Sequence, residues 1–125
     1  MTALIFVLFA LVLLDIKFEL IKNILWYDSL LHMLGGAFSA TVFIYVFSCK
    51  WQLFDSKKNF LYTLATIAGL VALVGVTWEF YEFLIDAALG SLAQPSLADT
   101  IKDLANDLLG GTITTIMYFL SKLKI

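Results

Sequence analysis

Acidic side chains and the single histidine stand inside or at the ends of long apolar runs: Asp28, His32, Glu79, Glu82, Asp86, Asp99, Asp103 and Asp107. A carboxylate carried into hydrocarbon costs about 2.5–3.5 kcal/mol on insertion scales. A chain that keeps so many must turn them toward one another, toward water or toward a bound cation. That requirement constrains the fold more than any other feature of the sequence.

The runs around these residues are those of a membrane protein. Of the 125 residues, 62% are hydrophobic, against roughly 45–50% for a soluble domain. At about 20 residues per span, the length predicts an all-α, polytopic protein: one transmembrane domain over residues 1–125, built as a four-transmembrane-helix bundle. The helices are expected over about residues 2–22, 28–49, 60–89 and 97–121. The first run lacks a basic leader and a small-residue cleavage site, so it reads as a span rather than a signal peptide. Asp15, Lys17, Glu19 and Lys22 crowd its end, and residues 17–27 either complete that helix or lie flat as an amphipathic turn. Trp51 is placed as an interfacial anchor. Gly90 is placed as a helix stop, with Pro95 in the loop beyond it.

Composition excludes several functions. There is no Arg, so the bidentate clamp that recognises phosphate or carboxylate is missing. No basic patch exists for nucleic acid. The lone Cys49 permits neither an internal disulfide nor a cysteine-based zinc site. Lys50, Lys57, Lys58, Lys122 and Lys124 fall on one side of the expected bundle, and Lys17, Lys22 and Lys102 on the other. The positive-inside rule then puts both termini in the cytoplasm, in the cell (inner) membrane.

A repeat is visible. Asp28, His32, Gly35 and Gly36 recur as Asp103, Asp107, Gly110 and Gly111, at a constant offset of 75. Parallel duplication of a helical hairpin, as in many transporters, and convergence on one packing solution both account for it.

Spacing decides which polar groups share a face, at about 100° per residue. Asp28 and His32 are four apart, Glu79, Glu82 and Asp86 three and four apart, Asp103 and Asp107 four apart, so each helix carries one stripe. Glu79 lies eleven residues before Gly90, and Asp107 eleven after Ser96. Each is therefore about 16 Å along its helix, and the two are expected to meet below one membrane face, beside Asp28 and His32. The lysines on that side are expected at the periphery, so the stripes need bound cations or protons. Carboxylates with one imidazole suit Mg²⁺, Ca²⁺, Mn²⁺ or Zn²⁺. The expected metal ligands are Asp28, His32, Glu79, Glu82, Asp86, Asp103 and Asp107. His32 and Glu82 double as general acid/base candidates.

Blander roles compete. Ser96 and Asp99 fit a capping box, and Asp28 fits a simple helix cap. Asp86 suits headgroup-level water. The aromatic stretch Trp78, Phe80, Tyr81, Phe83 reads as lipid-facing packing. Thr112, Thr114 and Thr115 read as bonding back to their own helix.

Taken together, Asp28-x3-His32 with its glycine pair, Trp78-Glu79-x2-Glu82-x3-Asp86, and Asp99-Thr100-x2-Asp103-x3-Asp107-x2-Gly110 resemble small membrane proteins of the VanZ-like and YjdF-like type. The likeness covers residues 27–112 and implies a compact bundle of membrane helices. VanZ-like proteins are linked to reduced glycopeptide susceptibility, an association at the level of fold. YjdF-like proteins have a longer, many-helix form that this chain does not share. Glu79, Glu82 and the Lys102-Asp103 pair also resemble features of bacterial diacylglycerol kinase, though the helix order and the missing Arg depart from it. Three functions stay open: a metal-dependent reaction on a lipid headgroup or lipid-linked phosphate, proton or metal-ion transport by a homo-oligomer, and a metal-stapled scaffold that binds a partner.

Overall fold

The computed structural model describes residues 2–24, 26–53, 60–91 and 93–123. Helix α1 spans Thr2–Phe18 and a single turn, α2, spans Leu20–Asn23. Helix α3 runs Tyr27–Ile44 and continues as a π-helical turn over Tyr45–Lys50. Helix α4 spans Phe60–Leu89 and α5 spans Leu97–Leu123. No strand occurs among the described residues. Among the described residues two helical stretches are long and apolar enough to cross a membrane, Tyr27–Ser48 and Phe60–Leu89. Helix α5 has the length but carries Asp99, Lys102, Asp103 and Asp107 in its first half. Lys57, Lys58 and Lys124, on which the charge count leans, lie outside the described residues.

The first helix ends at Phe18, short of the expected residue 22. Glu19 takes a left-handed backbone, φ 50°. The break is held by polar bonds: Asp15 Oδ1 accepts from Ile21 N at 2.7 Å, and Asn23 Nδ2 donates to Glu19 O at 2.9 Å. The charged cluster thus builds a turn instead of extending the helix. Beyond it the Tyr27 hydroxyl donates to Leu11 O at 2.7 Å, pinning α3 against an antiparallel α1. At the same end of the bundle α4 stops at Leu89, where Gly90 supplies the positive φ (64°) that a helix terminus takes most cheaply.

Three rows of residues spaced by four make the interior. Helix α3 buries His32, Gly36, Ala40 and Ile44; α4 buries Thr63, Ile67, Val71, Gly75 and Glu79. Helix α5 buries Asp103, Asp107, Gly111, Thr115 and Phe119. Rows with this spacing are the ridges by which helices interdigitate. Each row is apolar or small along most of its length and acidic, or His-bearing, at one end. Ala40, Ile44, Ile67 and Val71 form the apolar core, and the polar ends gather at the opposite end of the bundle.

Helices α3 and α5 run parallel and cross with their backbones in contact. A Cβ added to Gly36 would stand 2.0 Å from Asp107 O, and one added to Gly110 would stand 1.9 Å from Met33 O. Only glycine admits that approach. Helix α4 packs on both α3 and α5, whereas α1 rests on α3 and makes no close approach to α4 among the described residues. Phe6, Phe9, Phe80, Phe83, Leu84 and Met117 are exposed, a belt that suits hydrocarbon and would be an unusual apolar patch in water.

Candidate functional site

The α3/α5 crossing sets the geometry of the polar end. Because the helices run parallel in register, residues 75 apart come face to face. His32 Nδ1 lies 3.4 Å from Asp107 Oδ2, and His32 Nε2 lies 3.7 Å from Asp28 Oδ1. Asp28, His32 and Asp103 each present a potential ligand atom, all within 4.8 Å of one another. His32, Asp103 and Asp107 are buried. Asp103 Oδ1 is buried and accepts no hydrogen bond, an arrangement costly enough to call for an explanation.

Asp107 is seated among glycines. A Cβ on Gly75 would stand 2.6 Å from its Oδ2, and one on Gly35 would stand 3.9 Å from its Oδ1. The small residues of two helices, α3 and α4, therefore leave room for one carboxylate, aimed at the imidazole.

Lys102 is not peripheral. Its Nζ lies 2.6 Å from Asp99 Oδ1, 3.5 Å from Asp28 Oδ2 and 3.6 Å from Asp103 Oδ1. The expectation that the lysines stay at the rim is corrected for this residue, whose long stem reaches back over the start of α5. One ammonium still faces three carboxylates, those of Asp28, Asp99 and Asp103, so the surroundings remain acidic. Ser96 forms its half of the expected capping box, accepting from Asp99 N at 3.2 Å. The Asp99 carboxylate bonds Lys102.

The α4 carboxylates diverge. Glu82 lines an open cavity of about 380 Å³ together with Asp28, His32 and Asp107, and it accepts from Trp78 Nε1 at 2.8 Å. Glu79 is buried at the end of its row but lines a different groove, beside Gln94, Thr100 and Leu104. Its Oε2 accepts from Gln94 Nε2 at 2.9 Å and its Oε1 is buried without a hydrogen bond. Asp86 is occupied by the loop that follows α4: it accepts from the Ser91 hydroxyl, from Ala93 N and from Gln94 N. That carboxylate organises the α4–α5 connection. The hydroxyl of Thr115 bonds back to Gly111 O at 2.8 Å.

The family comparison meets this geometry at one point: a description reading "Predicted membrane protein (DUF2238)" matches residues 1–123. The chain belongs to that family. The DUF2238 match supports a membrane protein, in agreement with the two membrane-length helices and the exposed apolar belt. It does not by itself single out the VanZ-like or YjdF-like type, which rests on the motifs alone. No curated protein and no solved structure matches the chain.

The residues that sequence reasoning missed are Lys102 and Gln94, which partner Asp28 and Glu79. Lys102 sits three residues after Asp99 on α5, a spacing that faces one turn of helix onto the next and carries a detectable signal. Gln94 lies in a loop with no periodicity, where no spacing rule applies.

Proposed function

We propose that this DUF2238 protein is a four-span membrane protein that holds a divalent cation at Asp28, His32 and Asp103 and uses it on a lipid headgroup or lipid-linked phosphate. The observation that carries the reading is the convergence of those three groups within 4.8 Å, with Asp103 Oδ1 buried without a hydrogen bond and met only by the Lys102 ammonium at 3.6 Å. Two carboxylates and one imidazole suit Mg²⁺, Mn²⁺ or Zn²⁺ in an oxygen-rich site.

The imidazole is oriented as a metal ligand should be. Its Nε2 faces Asp28 while Nδ1 faces Asp107. A carboxylate on the far ring nitrogen fixes the tautomer and strengthens the near one as a donor. Asp107 is on this reading a positioning residue. Glu82 stands in the adjoining cavity as the base or further ligand. A bound divalent cation would supply charge neutralisation for a phosphoryl oxygen and acidify a bound water. Glu79 and Asp86, occupied by Gln94 and by the α4–α5 loop, fall outside the proposed ligand set.

The site lies toward the face opposite both termini, which the lysine bias assigns to the cytoplasm; the cation site is therefore outward-facing. Transport is less well supported. Beyond the polar ends the interior is closed by Ala40, Ile44, Ile67 and Val71, all nearly inaccessible, and no ionisable group among them continues a path. The parallel offset of 75 residues fits a duplicated hairpin.

Binding of Mn²⁺ to purified protein, followed by electron paramagnetic resonance, tests the reading. Wild type is expected to immobilise Mn²⁺, and Asp28→Asn, His32→Ala and Asp103→Asn each to release it. Equal signals from wild type and all three variants would overturn the assignment.

A further inference from the structure

The cavity beside the cluster is graded along its length. On α3 its wall passes from Asp28 and His32 through Gly35 to Phe38 and Ser39; on the antiparallel α4 it passes from Glu82 and Trp78 through Gly75 to Val74 and Val71. Eleven residues separate Asp28 from Ser39, and eleven separate Glu82 from Val71. Both walls are therefore about 16 Å long, close to half of a ~30 Å hydrocarbon core. Leu8 and Val12 of α1 close part of the outer side. Because α1 rests on α3 and makes no close approach to α4 among the described residues, the space between α1 and α4 opens sideways. Val74 remains 42% exposed although it lines the cavity, as expected of a wall that faces a lateral opening.

The volume, about 380 Å³, falls in the range of roughly 300–1,000 Å³ typical of small-molecule sites. A polar head at the membrane face, an apolar body one leaflet deep and a lateral mouth together have the form of a single amphiphile lying parallel to the lipid chains. We infer that this cavity receives the hydrocarbon chain of a phosphate-headed amphiphile, whose phosphate is placed against the cation, in the polar end that Glu82 lines. The inference rests on the cation reading above for the headgroup. The chain site itself rests on the cavity.

The test uses full-length protein in phosphatidylcholine nanodiscs with Mn²⁺ and a dodecyl phosphate carrying a mid-chain diazirine. After irradiation, label is expected on the Phe38–Ser39 and Val71–Val74 peptides. Unlabelled dodecyl phosphate should compete it away, and inorganic phosphate should not, because only the former brings a chain. Val74→Trp, which fills the cavity, should lose the label while still immobilising Mn²⁺, a check that the variant is folded. Label spread over the lipid-facing Phe80 and Leu84, or unchanged in Val74→Trp, would overturn the chain site even if Mn²⁺ binds. Competition by inorganic phosphate as effective as by dodecyl phosphate would also overturn it. Label at the cavity that is the same with and without Mn²⁺ would uphold the chain site and overturn the cation-held headgroup.

Discussion

His32 and Asp107 lie 75 residues apart in the chain, and their side chains face each other with Nδ1 3.4 Å from Oδ2. The contact exists because α3 and α5 run parallel and touch backbone to backbone at Gly36 and Gly110. It turns the other ring nitrogen toward Asp28. If Asp107 orients His32 rather than ligating, Asp107→Asn should weaken Mn²⁺ affinity by about 10–100-fold, the usual cost of removing such a partner, without abolishing binding. A titration showing complete loss would make Asp107 a ligand, and one showing no change would remove it from the site.

The glycine crossing makes its own prediction. Gly110→Ala forces a methyl to within 1.9 Å of Met33 O, a backbone atom that cannot swing aside. Overpacking of this kind costs at least about 1–3 kcal/mol. Gly69, where an added Cβ meets nothing within 4 Å, is the control, and alanine there should be neutral or stabilising by up to about 1 kcal/mol. Melting temperatures in detergent should separate the two variants clearly. Equal values would mean that the α3/α5 approach is looser than described.

Asp86 separates a loop organiser from a metal ligand. It accepts from Ser91, Ala93 N and Gln94 N. Removing it with Asp86→Ala leaves those donors without their shared acceptor, so the loop is held less firmly. Stability should therefore fall while Mn²⁺ affinity stays as in wild type. A fall in affinity with stability unchanged would return Asp86 to the ligand set.

Both ends of the chain are expected on the cytoplasmic side. A C-terminal reporter should be active only there. Activity confined to the outer face would reverse the orientation, and equal activity on both would indicate dual insertion.

Much of this was legible before the structure. The long apolar runs marked α3 and α4 to within a few residues, and Ser96 with the fourfold spacing marked α5, because period and caps act locally. The fourfold spacing put Asp28 with His32 and Asp103 with Asp107 on single faces. The offset of 75 already paired residues that the parallel crossing brings together. Where the reading fell short, the deciding contacts were tertiary. Glu79 and Glu82 are only three residues, and so about 60°, apart around α4. Yet Glu79 ends the buried row beside the α5 groove, and Glu82 falls into the cavity that α3 also lines. Which side of a contact line a residue takes depends on where neighbouring helices cross, and no spacing rule encodes that. Counting charge by side of the membrane puts Lys102 at the rim; the length of its stem carries its ammonium to Asp28 and Asp103. The first helix ended at Phe18 because Asp15 and Asn23 bond the backbone of a turn, an alternative that Asp and Asn offer wherever they occur.

The central claim is that a divalent cation joins Asp28, His32 and Asp103. It is tested most directly by the melting temperature of the purified protein at neutral pH, with chelator and then with each divalent ion in turn. A cation that binds only the folded state must stabilise it by mass action. Chelator should lower the melting temperature of wild type and one ion should restore it, while Asp103→Asn should respond to neither. Melting curves that coincide with chelator, with Mg²⁺, with Ca²⁺, with Mn²⁺ and with Zn²⁺ would contradict the claim, and the acidic end of the bundle would then have to be held by protons.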